Sequence, residues 1–223
     1  MTEKTKRSAS ARTMTCTDCH VLDCYRQDKQ APAFCLTDQA GQEKVAKTTR
    51  RYTGRSLDGR IARAAAEVEG RYYGKLTRVE EIITFAHSLG AKRIGIATCI
   101  GLVEEARIFT RVLEAKGLEW HSVICKVGAV DKTAIGIPEE LKILKGKHEA
   151  ICNPILQARL LAEAKTDLNV IVGLCVGHDS LFNRHSKAPV TTLITKDRVL
   201  GHNPAAALYT SGFYYKRLFE TKE

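Results

Sequence analysis

The sequence predicts an α/β fold: a three-layer sandwich with a mostly parallel sheet, preceded by a small N-terminal cysteine-rich metal module. Three observations carry this. Short β-branched runs alternate with longer stretches of helical period, as in strands joined by right-handed crossovers. The runs 93–98, 119–124 and 169–172 each stop at or just before a cysteine. Half of the eight cysteines lie between positions 16 and 35, in a segment with little to bury.

Residues 1–12 are polar and basic and read as a disordered tail. Residues 13–56 form the cysteine-rich module and a polar connector, and residues 57–223 the α/β domain. From position 57, Ile61, Ala64, Ala65 and Val68 fall on one helical face, which Gly70 is expected to interrupt. Thr77 and Glu80 have capping-box spacing ahead of Val79, Ile82, Ile83 and Ala86, and Gly90 is a stop signal. The run 93–98 is the first strand, ending at Cys99. Leu102, Ala106, Phe109 and Leu113 make the buried face of the next helix, before Gly117.

The second strand, 119–124, ends at Cys125, and a loop-rich passage follows to His148. Cys152 precedes Asn153 and Pro154, a cap and first-turn pair for a helix carrying Leu156, Leu160 and Ala164. Asn169 to Val172 reads as a strand buried on both faces, broken by Gly173, Cys175 and Gly177. A strand at 190–194 comes next, with a possible turn at Lys196 and Asp197 into a further strand at 198–200. Asn203 and Pro204 then start an aromatic closing helix with Tyr209, Phe213, Tyr214 and Phe219.

Composition limits the function classes. A 44% hydrophobic content supports a sizeable core, yet no apolar run approaches the roughly 18 residues of a membrane span. No apolar stretch follows the charged start, so a cytoplasmic location is expected and no membrane partner. There, cysteines serve more often as metal ligands or reactive thiols than as disulfides. The net charge of +10 permits an acidic partner without demanding one.

Cys16, Cys19, Cys24 and Cys35 suit tetrahedral sulfur coordination of zinc or an iron–sulfur cluster, which would supply the folding energy this segment lacks. Their spacing is neither that of a zinc ribbon nor that of a bacterial ferredoxin. The second set is Cys99, Cys125, Cys152 and Cys175. If their strands are neighbours, the sulfurs converge at the carboxyl edge of the sheet, where open α/β sheets bind ligands. Three thiolates can hold a [4Fe–4S] cluster or a zinc ion and leave an open position for substrate. Reactive thiols without metal and packing as small core hydrophobes are the alternatives.

Cys175 and His178 are the candidate catalytic pair: a helix N-terminus favours the thiolate, and the histidine is placed to act as a base. Asn153, Lys196, His202 and Asn203 are candidate substrate-binding residues, with Arg198 on the same loop edge to hold a carboxylate or phosphate.

The four N-terminal cysteines, Cys152 to Ile155, Gly173 to Asp179, and the stretch from Ala188 through Gly201 to Pro204 together resemble a prokaryotic cysteine-rich family of unknown function. Its members carry only a metal-binding label, and the resemblance runs from about Cys16 to Tyr209. It implies metal binding without a reaction. More loosely, three strand-end cysteines are similar in architecture to the open-iron sites of iron–sulfur dehydratases, quinolinate synthase and thiouracil desulfidase, whose full motifs are absent.

The leading expectation is an iron–sulfur or zinc enzyme acting on a small molecule at the sheet edge, with a redox partner if electrons are relayed. The alternatives are a zinc-module protein binding nucleic acid through residues 44–63, which the lack of a recognised motif disfavours, and a metal or redox sensor.

Overall fold

The computed structural model describes residues 12–221, so the expected N-terminal tail lies outside the described residues apart from Arg12. The chain divides into two compact units, 1–63 and 64–223.

In the first unit a 3₁₀ turn (Cys16–Asp18) is followed by three helices: α1 (Asp23–Arg26), α2 (Leu36–Ala40) and α3 (Gln42–Thr53). None of them buries a residue. The polar connector is therefore helical, and Lys44, Lys47, Arg50 and Arg51 are all exposed. The division falls inside the next helix, α4 (Leu57–Tyr72), because its first turns bond back into this unit. Asp58 pairs with Arg51, and Arg63 donates to the carbonyls of Tyr52 and Gly54 at 3.3 and 3.0 Å. Gly70 does not break α4, which runs on to Tyr72; an isolated glycine costs a helix only about 1 kcal/mol.

The second unit alternates helix and strand as expected. It contains α5 (Arg78–Leu89), β1 (Arg93–Thr98), α6 (Val103–Ala115), β2 (Glu119–Ile124), α7 (Pro154–Glu163), β3 (Leu168–Val172), α8 (His178–His185), β4 (Val190–Ile194) and α9 (Ala205–Tyr209). The four strands are all parallel, in the order β2-β1-β3-β4. The capping box of α5 is present, and Gly90 closes it in the left-handed conformation.

Both sheet faces are covered. Ile94, Ile96, Val170 and Val172 pack with Ile82, Ile83 and Ala86 of α5 and Ala106, Phe109 and Leu113 of α6. On the opposite face Ala97, Val123 and Ile171 pack with Ala158 and Leu161 of α7 and Phe182 of α8. This is the three-layer sandwich.

Three expectations need correction. Residues 198–200 form a turn and not a strand, because Asp197 accepts the backbone N–H groups of Val199 and Leu200, each at 2.8 Å. The aromatic closing helix stops at Tyr209; turns and a 3₁₀ segment (Lys216–Phe219) follow, and Tyr209, Phe213, Tyr214 and Phe219 are exposed. On α7 the buried face is Pro154, Gln157, Ala158 and Leu161, whereas Leu156, Leu160 and Ala164 are only half-buried. The helix is turned by a polar demand, since Gln157 is needed inside.

Candidate functional site

The strand order puts β2, β1 and β3 side by side, so Cys125, Cys99 and Cys175 leave the sheet at the same edge. Cys99 follows β1 directly, and its N–H donates to Val172 at 3.3 Å. Cys125 follows β2, and its N–H donates to Thr98 at 2.8 Å. Cys152 returns to the same place from far along the chain: the N–H of Asn153 donates to the carbonyl of Cys125 at 2.7 Å.

Two buried polar devices hold this arrangement. Gln157 is fully buried, and its Nε2 donates to the carbonyls of Thr98 (3.2 Å) and Val123 (2.7 Å). One side chain thus ties the ends of β1 and β2 together beneath the cysteines. Replacement by leucine leaves those carbonyls without this donor; a loss of about 1–3 kcal/mol is expected, read as a lowered denaturation midpoint.

The second device is the 126–151 loop, ordered around Asp131. Its carboxylate accepts from the N–H of Thr133 and Glu149 and from the largely buried ammonium of Lys142. The Thr133 and Glu149 amides and the Lys142 cation hold that carboxyl well below its ordinary range. Lys142 also bonds Glu139, and Ile151 N–H donates to Val130 at 2.8 Å. The loop therefore closes on itself and delivers Cys152 next to Cys125.

Cys99 and Cys152 both neighbour Cys125, so the three thiols form a row with Cys125 in the middle. Cys99 and Cys125 are buried and Cys152 half-buried. The Cys125 thiol, with a sulfur on either side and desolvated, is pushed up and keeps its proton. Its single S–H faces one neighbour at a time and favours the charged form of that sulfur, and both neighbours lie below the ordinary thiol range, Cys99 drawn down to about 4 and Cys152 to about 5. The Gly101 N–H and the Lys196 ammonium, 3.3 Å away, also lower Cys99, and Lys126 and His178 lower Cys152. Two thiols drawn toward the thiolate thus stand on either side of one that keeps its proton, with a lysine beside each outer sulfur.

Cys175 stands outside the row. It is half-buried, and its Sγ accepts from the Arg198 guanidinium at 3.0 Å. His178, at the first turn of α8, carries an Nδ1 that is shut off from solvent and has no partner among the described residues.

The other candidate residues separate by role. Asn153 caps α7, accepting from Leu156 N–H at 3.1 Å. His202 holds its own turn, accepting from Asp197 N–H at its Nδ1 (3.1 Å). Asn203 is exposed and, contrary to the expected cap, makes no side-chain bond to the start of α9. Lys196 alone of the four reaches a cysteine. Lys126 follows a strand-end cysteine immediately, which is the one signal that marks it; Gln157 is a polar residue whose burial no periodicity marks.

Of the N-terminal cysteines, Cys16 and Cys24 are exposed and Cys19 and Cys35 half-buried. Cys19 Sγ accepts from Leu22 N–H at 3.5 Å. Among the described residues no three cysteine, histidine, aspartate or glutamate side chains are arranged to hold a metal ion. The donor chemistry at the sheet edge is that of a soft-metal ligand set: three sulfurs with Cys125 beside both Cys99 and Cys152, the outer two drawn toward the thiolate. Metal binding there requires Cys125 to release its proton.

No helix among the described residues is long and apolar enough to cross a membrane. A family model described as "Protein of unknown function (DUF1847)" matches residues 35–193, a range that holds Cys35 and all four sheet-edge cysteines but not Cys16, Cys19 or Cys24. An uncharacterized protein of the archaeon Methanocaldococcus jannaschii, MJ0455, is 53% identical over 163 residues, covering 73% of this chain and 82% of the archaeal protein. No solved structure matches the chain.

Proposed function

The chain belongs to the DUF1847 family of proteins of unknown function, and we propose for it a thiolate-centred enzyme that uses Cys99, Cys125 and Cys152 to hold zinc or an iron–sulfur cluster and acts on a small molecule at the carboxyl edge of the sheet. The observation that supports this is the meeting of three sulfurs from three separate segments, two of them drawn down to thiolates and each of those flanked by a lysine. Core cysteines that merely fill space have no need of cations beside them.

A metal held by these sulfurs supplies a Lewis acid with a position open to substrate. The protein's own part is fixed by its residues. Cys99 and Cys152 bind as thiolates without losing a proton, and Cys125 loses its own on binding. Lys196 and Lys126 offset the accumulated negative charge on sulfur. His178 presents an unpaired ring nitrogen near Cys152, placed to hold or pass a proton. The N-terminal cysteines are proposed as a separate metal site that closes on metal binding.

Metal and acid-labile sulfide analysis of the full chain, purified without oxygen, tests this. Sheet-edge metal is expected to survive in the Cys16→Ser/Cys19→Ser variant and to disappear in Cys99→Ser/Cys152→Ser. Unchanged metal content in the second variant would refute the assignment. A redox sensor is the second reading, favoured by Cys125 touching both neighbouring sulfurs; it predicts reversible metal loss on mild oxidation together with a disulfide at Cys125.

A further inference from the structure

The loop after β4 carries two cations, two residues apart, onto two different cysteines. Lys196 Nζ lies 3.3 Å from Cys99 Sγ, and Arg198 donates to Cys175 Sγ at 3.0 Å. At the other end of the row, Lys126 reaches the Ala150 carbonyl at 2.6 Å and the Cys152 thiol. Among the described residues none of these three cations pairs with a carboxylate. The nearby aspartates are engaged with backbone: Asp197 with the amides of Val199 and Leu200, Asp179 with that of Ser180.

Lys196 and Lys126 each lie against a sulfur of the row. Arg198 lies outside it: its guanidinium has five N–H donors and directs one at Cys175. The Nδ1 of His178 has no partner among the described residues. Residue 101 fits the same picture: a Cβ there would come within 2.8 Å of the Lys196 ammonium, so a glycine leaves the room in which that cation sits. Among the described residues the edge thus holds three cations that no carboxylate pairs, with donor capacity in reserve.

We propose that the substrate of this site is a small anion, and that Lys196 and Arg198 receive its carboxylate or phosphate beside Cys175. The inference rests on the sheet edge being the reaction centre and names the class of molecule that enters it. A guanidinium and an ammonium on one loop are a common receptor for such groups, the first bidentate and the second a point charge.

The test compares iodoacetate with iodoacetamide, reagents that alkylate thiols alike and differ in carrying a carboxylate or a neutral amide. Modification of Cys175 is followed by peptide mass spectrometry on the full chain, and the same chain in denaturant gives the intrinsic ratio of the two rates. Folding is expected to raise the iodoacetate preference at Cys175 by about tenfold or more, the lower range of electrostatic enrichment in a charged cleft. The preference should fall back to the denatured value in Arg198→Gln and drop in Lys196→Gln, while Arg198→Lys keeps part of it. Added salt should erode it, and inorganic phosphate should protect Cys175. A ratio equal to that of the denatured chain, a ratio unchanged in both glutamine variants, or a Cys175 inert to both reagents overturns the proposal. Metal analysis of the same preparation separates the two ideas: a protein purified anaerobically without metal that shows the preference refutes the metal centre alone, and a metal-loaded protein without it refutes the anion receptor alone.

Discussion

Replacing Cys125 by alanine is expected to return the thiols of Cys99 and Cys152 toward their ordinary range, and replacing it by serine is not. Contact with the Cys125 thiol, whose one proton serves either sulfur in turn, lowers both values most. Alanine removes that donor, whereas a serine hydroxyl preserves one of similar reach. Metal binding should be lost from both variants, because neither replacement supplies a thiolate. The pair therefore separates thiol activation from metal ligation at one position. In chelated wild-type protein, alkylation of Cys99 and Cys152 should be nearly flat between about pH 6 and 8, since both are already thiolates. In Cys125→Ala it should climb with pH over that range, less steeply than for a free thiol because Lys196 and Lys126 remain beside the two sulfurs.

Linkage fixes the accompanying stability change. Cys99 and Cys152 have folded values below the usual 9.0, so their contribution is present in full above 9 and is lost as pH falls through about 5 and then 4. Cys125 is raised, so its contribution holds below 9 and fades as pH rises beyond. The stability margin of wild type over Cys125→Ala should accordingly widen from pH 5 toward 9 and narrow above it, as measured by denaturant midpoints. A margin independent of pH would mean that the row carries no such charge.

The strands were legible because each is a β-branched run bounded by turn chemistry, and β1 and β2 coincide residue for residue with the runs 93–98 and 119–124. Convergence of the cysteines followed from strand adjacency, which a parallel sheet with short crossovers makes natural. The roles within the site were not legible in the same way. Cys175 has the helix-start signature that marks a reactive thiol, yet the row forms from Cys99, Cys125 and Cys152, because the Asp131-centred loop bends Cys152 back onto β2. That loop consists of turns and side-chain bonds with no periodicity to read. Gln157 and Lys126 were obscured for a related reason: burial of a polar group depends on partners remote in sequence, and composition carries no trace of them. His202 shows the converse, a residue with functional chemistry whose ring nitrogen is consumed in holding a turn.

Substitution of Gly173 by alanine should be among the most damaging single changes near the site. Two independent penalties coincide there. Gly173 has φ +74°, where an L-residue costs roughly 1–2 kcal/mol. A Cβ built on it would also lie 1.7 Å from Cδ1 of Leu102, a side chain only 1% exposed and packed within the core. Overpacking of that kind typically costs about 1–3 kcal/mol more. A total of about 2–5 kcal/mol is expected, read by equilibrium denaturation as a shift in midpoint. The two parts separate by a double-mutant cycle with Leu102→Ala, which by itself should cost about 2–5 kcal/mol. In that background the steric part is relieved, and Gly173→Ala should cost only the backbone part, about 1–2 kcal/mol. Additivity of the two substitutions would show that the contact is not the source of the loss. The consequence reaches the site as well, since Gly173 begins the turn that carries Cys175 and Leu102 ends the 3₁₀ turn that follows Cys99. The absence of a side chain at 173 is what lets these two segments approach, and any residue larger than glycine should move Cys175 away from its place beside Arg198.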